Sequence, residues 1–296
     1  MTKAGYIAIV GRPNAGKSTL MNAILGTKLS IVTPKPQTTR KQVLGIHSDD
    51  EKQIVFIDTP GILSPKYEMQ RLMMEYVETA LESADAILFL VDIKKYGAEI
   101  DEKSREFLEL AKQTGKPIIA ILNKVDLYED VKSALPIIAE YSKTGYFEEI
   151  IPMSALHKTY IDNLLATLGK YMPEGEFFFD PEELSTQNER FFVSEIIREK
   201  VFLSLSEELP YASDIVITQF REKDNGKWFI SADVLVERKS QKIIIVGKGG
   251  ERIKQIGEKA RIDIEKHLEQ PVYLELYVKV KDNWRNNKNY LKSLGY

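Results

Sequence analysis

Gly11-Arg12-Pro13-Asn14-Ala15-Gly16-Lys17-Ser18 decides how the first half of this 296-residue chain is read. The stretch fits the phosphate-loop pattern G-x-x-x-x-G-K-[ST], and its neighbours supply the context that pattern needs. Apolar, strand-like residues 6–10 precede it, and a helical stretch over 19–25 follows, with Gly26 placed to end the helix. Gly11 and Gly16 let the backbone approach an anion closely and turn N–H groups toward it, and the helix N-terminus adds partial positive charge at the same point. Lys17 has the reach for β- and γ-phosphates, and the Ser18 hydroxyl can ligate Mg²⁺. Asn14, Ala15, Gly16, Lys17, Ser18 and Thr19 are therefore the expected phosphate-binding residues. A Gly-rich turn matching by chance would not come with strand, loop and helix in order, so the stretch predicts a nucleoside-triphosphate site.

Outward from the loop the chain alternates strand and helix. Strands are expected over 42–47, 53–57, 86–91, 118–122 and 149–151, and helices over 67–81, 101–114, 128–141 and 160–171. The alternation implies a mostly parallel sheet covered by helices on both faces, with ligand loops at the carboxyl ends of the strands. Those loops carry the remaining chemistry. Asp58-Thr59-Pro60-Gly61 follows one apolar strand; its aspartate can hold Mg²⁺ through water and the Gly61 N–H can sense a γ-phosphate. Asn123-Lys124-Val125-Asp126 follows another, where a carboxylate can accept both N–H protons of a guanine edge that adenine lacks. Ser154-Ala155-Leu156 follows the last strand and offers a backbone N–H to the guanine oxygen. Each of these tetra- and tripeptides alone is an ordinary turn; three in order behind a phosphate loop are not.

With these motifs the first half resembles the small GTPases, in the translation-factor-like branch that carries Asn in the phosphate loop. The resemblance implies switch and Mg²⁺ roles for Ser18, Thr39, Asp58 and Gly61, and guanine contacts for Asn123, Lys124, Asp126, Ser154, Ala155 and Leu156. The first switch would lie in Thr33-Pro34-Lys35-Pro36-Gln37-Thr38-Thr39-Arg40; the family's Mg²⁺ threonine maps to Thr39, with Thr38 as the competing register. The second switch would run over 58–69. One departure bears on mechanism: small GTPases place a water-orienting glutamine just after the D-x-x-G glycine, and here that position is Ile62. Unassisted hydrolysis is expected to be slow. Asn14 matches an asparagine that in related GTPases helps hold K⁺; a loop-bracing hydrogen bond is the equal alternative.

Composition bounds the rest. The chain has no cysteine, which excludes disulfides, thiolate metal sites and Cys nucleophiles, and its three histidines, His47, His157 and His267, form no cluster in sequence. No apolar run is long enough to span a bilayer, and the chain enters its first strand within a few residues, so a soluble cytoplasmic protein without a signal peptide is expected. At 43% hydrophobic content there is enough apolar material for two cores. The net charge of −3 hides an asymmetry: from Thr186 onward there are 20 Lys+Arg against 17 Asp+Glu, and before it 21 against 27. From Arg238 to the end the count is 14 basic to 7 acidic, which makes a polyanionic partner the reading to test.

Residues 173–183, rich in Pro, acids and Phe, break the alternation and suggest a connector whose phenylalanines dock on a domain; the division expected is 1–173, a linker over 174–185, and 186–296. After it come a helix over 186–205, apolar at Phe191, Ile196 or Ile197, Val201 and Leu205, and strands over 215–220 and 228–236 joined by a turn at Asp224-Asn225-Gly226. Gly247-Lys248-Gly249-Gly250 then fits G-x-x-G, followed by a helical pattern (Ile253, Ile256, Ala260, Ile264), a strand over 272–280 and a basic tail over 279–292. This order resembles a type II KH domain, in which the G-x-x-G loop joins two helices and clamps single-stranded RNA. By propensity 243–246 would be a strand; the resemblance makes it the first of those helices. Gly247, Lys248, Gly249, Gly250, Arg252 and Lys254 become the expected RNA-binding residues.

The fold class expected is thus an α/β phosphate-loop GTPase domain followed by an α+β type II KH domain, and that combination resembles one family of ribosome-assembly GTPases over essentially the whole chain. The resemblance implies a GTP/GDP switch using Mg²⁺ that binds the 3′ end of small-subunit ribosomal RNA, assists small-subunit assembly and associates peripherally with the inner face of the cell membrane; a monomer is expected. A tRNA-modification or general ribosome-assembly GTPase acting on another RNA is the alternative, and a binding module with a merely structural nucleotide is a third.

Overall fold

Seven consecutive residues, Ala86–Asp92, are buried without a break, as a parallel strand covered on both faces requires. In the computed structural model, which describes residues 1–128, 130–223 and 226–296 with the backbone alone at 131, this strand is β4 of a six-stranded sheet. The others are β1 (Lys3–Gly11), β2 (Val43–Ser48), β3 (Lys52–Asp58), β5 (Ile118–Asn123) and β6 (Glu149–Met153). The order is β2-β3-β1-β4-β5-β6, with β2 antiparallel to β3 and every other pair parallel. The sheet is wound from β1 in both directions, so the loops after β1, β3 and β4 open onto one crevice at its carboxyl edge. The flanking helices are α1 (Lys17–Leu25), α2 (Glu68–Ser83), the single turn α3 (Ile93–Tyr96), α4 (Glu102–Gln113), α5 (Leu135–Lys143) and α6 (Ile161–Leu168).

Local chemistry sets the boundaries. Asp101 caps α4 by accepting from the Ser104 N–H at 3.2 Å, and Gly26 ends α1 at φ 69°. The helix expected over 128–141 is shorter: a 3₁₀ turn, Val131–Ala134, leads into α5, because Pro136 lacks an N–H and is accommodated only in a first turn. The helix expected over 160–171 closes at Leu168, after which Lys170 and Tyr171 N–H groups bond three residues back rather than four.

The chain divides into two compact units, Met1–Lys66 with Gln70–Thr186, and Tyr67–Met69 with Gln187–Tyr296. Residues 174–186 therefore go with the first unit. They run along it as a strap: Glu174 bridges Lys3, Ile46 N–H donates to Leu184 O at 2.9 Å, and Phe178 stacks on Tyr6 at 5.0 Å. The fully buried Gln53 accepts from the N–H groups of Phe178 and Phe179 (2.8 and 3.0 Å) and donates to Phe179 O (2.9 Å).

The second unit comprises α7 (Glu189–Ser204), β7 (Asp214–Glu222), β8 (Trp228–Val236), α8 (Lys239–Val246), α9 (Glu251–Leu268), β9 (Val272–Val280) and α10 (Lys288–Ser293). β8 lies between antiparallel β7 and parallel β9. Its core joins Val193, Ile197 and Val201 of α7 to Ile230, Ala232 and Val234 of β8 and Ile256, Ala260 and Ile264 of α9. The apolar face of α7 is the expected one at Ile197, Val201 and Leu205, all buried; at its start Phe192 is buried in place of Phe191, whose N–H is capped by the Asn188 side chain at 3.0 Å. Of the expected β7–β8 turn, Asp224 and Asn225 lie outside the described residues; Lys223 N–H bonds Lys227 O at 2.8 Å across it. The basic tail is folded: it carries the end of β9, a 3₁₀ turn with fully buried Trp284, and α10 with fully buried Leu291. Among the described residues no helix is long and apolar enough to cross a membrane.

Candidate functional site

The register places the site. Ile9 pairs with Asp58 and Asp92 with Asn123, so three polar strand ends meet the phosphate loop at the carboxyl edge of the sheet. Gly11 (φ 148°) and Gly16 (φ 102°) take conformations that side chains disfavour, and a Cβ on Gly16 would stand 2.2 Å from Asn123 Nδ2. Asn123 is the brace this leaves room for: its Nδ2 donates to Ala15 O (2.7 Å) and its Oδ1 accepts from Ala155 N–H (2.9 Å), tying the phosphate loop to the Ser154-Ala155-Leu156 turn. Ser154 is held by Thr159 Oγ1 at its N–H (2.8 Å), and Leu156 is exposed.

Lys17 is buried and folded back on the loop, its Nζ 3.3 Å from both Gly11 O and Arg12 O. Burial pushes its pKa down to about 8 against the opposing charge of Asp58. Ser18 Oγ donates to Asp58 Oδ2 at 2.7 Å and lies 2.8 Å from Thr39 Oγ1, which is itself 3.5 Å from Asp58 Oδ2. Thr38 points elsewhere, bonding Lys35 O and Thr33 Oγ1 at 2.7 and 2.6 Å. Burial raises the Asp58 pKa, and its Oδ1 is buried without a hydrogen-bond partner. Two hydroxyls and one buried carboxylate, one of whose oxygens is orphaned, form a hard-oxygen donor set that fits Mg²⁺, a metal that takes few protein ligands alongside phosphates. Among the described residues no group of three His, Cys, Asp or Glu forms a metal cluster.

Thr39, Lys17, Ser18, Thr19 and Gly61 line a cavity of about 490 Å³ that extends to Lys124, within the range of small-ligand sites. Asn14 donates its amide to Pro34 O at 2.7 Å, bracing the segment 33–40. Asp126 is the middle residue of the 3₁₀ turn Val125–Leu127, with His157 Nε2 3.9 Å from its carboxylate. Gly61 is pressed against the loop: a Cβ would stand 2.8 Å from Pro13. Four cavity residues were not picked out from the sequence, Ile31, Val32, Asp92 and Lys95. Asp92 accepts from Lys124 Nζ at 2.6 Å and caps α3; its position at a strand end, like that of Asp58, was the available signal.

In the second unit the G-x-x-G residues join α8 to α9, with Gly247, Gly249 and Gly250 all at positive φ (76°, 60° and 82°). A Cβ on Gly247 would stand 2.8 Å from Arg252 Cβ. Arg252 braces the turn, its Nη1 donating to Ile244 O at 2.7 Å, while Lys248 and Lys254 are exposed. Beside them Ile243 and Ile244 are 71% and 43% exposed, although only Ile245 of that run is buried. These two were not expected as surface residues; a helix buries one side of a β-branched run and presents the other.

Residues 6–124 match the family described as 50S ribosome-binding GTPase and residues 208–285 match the KH domain. GTPase Era of Staphylococcus haemolyticus is 40% identical over 294 residues, 99% of this chain and 97% of that one. GTPase Era of Clostridium botulinum is 43% identical over 300 residues, 100% and 99%. Among solved structures, Aquifex aeolicus Era bound to GDP·AlF4⁻ and Era in complex with MgGDPNP and nucleotides 1506–1542 of 16S ribosomal RNA each superpose with a TM-score of 0.96 at 40% identity, over 100% of this chain and 99% of theirs. A phosphate-loop GTPase unit and a KH unit matched end to end in this way place the chain in the Era family of GTPases.

Proposed function

We propose that this chain is a GTP-hydrolysing switch that binds the 3′ end of small-subunit ribosomal RNA and assists assembly of the small ribosomal subunit. The observation that carries the reading is the meeting of Ser18, Thr39 and Asp58 beside buried Lys17, in a chain that also presents a G-x-x-G turn between two helices. The Era structure holding MgGDPNP and nucleotides 1506–1542 of 16S ribosomal RNA supports both halves. In this reading residues 1–173 carry the nucleotide chemistry, 174–185 connect, and 186–296 meet RNA. Lys17 meets the phosphates. Ser18 and Thr39 ligate Mg²⁺ directly and Asp58 holds it through water, the ion supplying charge neutralisation at the β- and γ-phosphates. Asp126 selects guanine. Lys248 and Lys254 neutralise RNA phosphates that the glycines let approach.

The test is GTP turnover by the purified chain with and without an RNA carrying the 3′ end of 16S ribosomal RNA, alongside crosslinking to total RNA. Turnover stimulated by that RNA, and crosslinks concentrated at that end, are expected. Crosslinks to transfer RNA alone would replace the reading with the tRNA-modification alternative.

Finer parts belong to the same reading. K⁺ at Asn14 is tested by replacing K⁺ with Na⁺ during hydrolysis; the Asn14–Pro34 bond supports the bracing role. A cytoplasmic monomer associating peripherally with the inner membrane face is tested by sedimentation and by flotation with anionic vesicles. The basic residues Lys281, Lys288 and Lys292 motivate the vesicle test.

A further inference from the structure

The phosphate loop and the segment behind Asp58 are joined at one residue. Ile62 N–H donates to Gly11 O at 3.0 Å, and Ile62 O accepts from Arg12 Nη1 at 2.9 Å. Two consecutive loop residues thus hold the backbone of Ile62 at its N–H and its carbonyl, while its side chain is buried in the core. The preceding Gly61 lies flat on Pro13. The guanidinium has a second anchor: Arg12 Nε stands 3.6 Å from Asp101 Oδ1. Asp101 is fixed in turn as the cap of α4, accepting from Ser104 N–H at 3.2 Å and from Ser104 Oγ at 2.6 Å. The charged donor to Ile62 O is the stronger half of this arrangement, because the Asp101 pair is partly exposed and screened. Arg12 does not line the nucleotide cavity, so its charge is directed at the protein and away from the phosphates.

The segment after D-x-x-G is the one that a γ-phosphate orders and its loss releases. Ile62 has no proton chemistry, so hydrolysis here depends on where the backbone of Gly61 and Ile62 stands. We infer that Arg12 is a positioning residue for GTP hydrolysis, fixing the Gly61–Ile62 backbone against the phosphate loop with Asp101 as its anchor on α4. The inference rests on the GTPase reading above.

The experiment uses the full chain and the variants Arg12→Ala, Arg12→Lys and Asp101→Asn, reading single-turnover hydrolysis and the affinities for GTP and GDP with fluorescent nucleotides. Arg12→Ala should lower kcat roughly tenfold while GDP affinity changes by less than about twofold. Arg12→Lys should recover part of the loss, because an ammonium can still reach the Ile62 carbonyl but lacks the second edge for Asp101. Asp101→Asn keeps a capping oxygen and loses the charge, so a smaller fall of the same sign is expected. Those two variants carry the test if Arg12→Ala does not fold. An unchanged kcat in Arg12→Ala overturns the inference. So does an equal loss of GTP and GDP binding with a lowered melting temperature, which would mark a brace of the fold alone. An inactive parent chain would instead remove the GTPase reading, and the inference with it.

Discussion

Lys124 takes a left-handed backbone (φ 72°) and sends its ammonium to Asp92, and Asp126 follows inside the 3₁₀ turn Val125–Leu127 at the carboxyl edge of the sheet. If Asp126 reads the base, Asp126→Asn should move preference from GTP to XTP, because the amide can donate to the xanthine oxygen. Competition binding that leaves GTP preferred would remove Asp126 from the base pocket. Ile62→Ala tests the opposite kind of position. Its buried side chain has no chemistry to lose, so kcat should hold, while a cavity in the core lowers stability by about 2–4 kcal/mol; hydrolysis and denaturant melts on the same sample separate the two. At His47 burial holds the imidazole below its ordinary 6.5, opposed by Asp49 and reinforced by Lys52. The unfolded chain then takes up a proton that the folded one resists, so this stabilisation is whole above about pH 6.5 and is lost as pH falls below it. His47→Gln should flatten that part of the stability–pH curve, and an unaltered slope would clear His47. At this scale residue types were legible and roles were not always so. Lys17, Asp58 and Asp126 could be proposed from spacing, whereas spacing left Thr38 and Thr39 as competing registers; the fold puts the Thr39 hydroxyl beside Ser18 and Asp58 and that of Thr38 on Lys35 and Thr33. Asn123 could be named for the guanine site, yet its bonds to Ala15 and Ala155 are a matter of strands brought together from distant sequence.

Among the elements, α8 shows where local signals fail. Ile243-Ile244-Ile245-Val246 has strand propensity throughout, and tertiary context overrides it. Gln241 accepts from the N–H groups of Glu237 and Arg238 (2.9 and 3.0 Å), Ile245 is fully buried, and Gly247 ends the helix. Only the resemblance to a type II KH domain made this helix legible. The same turn supplies a prediction that discriminates among its glycines. Both glycines have a left-handed backbone that side chains disfavour, but Gly249 has open space where a Cβ would be and Asp is among the residues that tolerate this conformation, whereas Gly247 would also meet Arg252. Changing Lys248 and Gly249 together to Asp should leave the unit folded and place negative charge and bulk where phosphate must approach. Single-strand RNA affinity should fall by at least about tenfold, and the parent's affinity should drop as salt rises. GTP binding should not change. RNA binding across a salt series, with circular dichroism to establish folding, is the measurement. A double variant that binds as tightly and with the same salt slope would move the RNA site elsewhere.

For the molecule as a whole, the charge split between halves anticipated two units of different chemistry, and the motif order anticipated both architectures. What the sequence could not show was how the acidic, Phe-rich stretch between them is held. It reads as a connector because no periodicity runs through it, and periodicity is what marks a chain as packed. The strap is held instead by single, non-repeating contacts, above all by Gln53, a fully buried amide on β3 whose oxygen and nitrogen both bond the strap backbone. A polar side chain on a buried strand is explicable only when its partner is known, and that partner lies 125 residues away. The consequence is measurable. A fragment ending at 173 leaves the Gln53 amide without those three bonds and Tyr6 without its stacked ring, whereas one ending at 186 keeps them. At about 1 kcal/mol for each bond and 0.5–1.5 kcal/mol for the ring pair, the shorter fragment should be less stable by roughly 3–5 kcal/mol. Urea melts of the two fragments read this directly. Equal midpoints for the two fragments would mean that the strap only rests on the first unit and that stability ends where the last helix does.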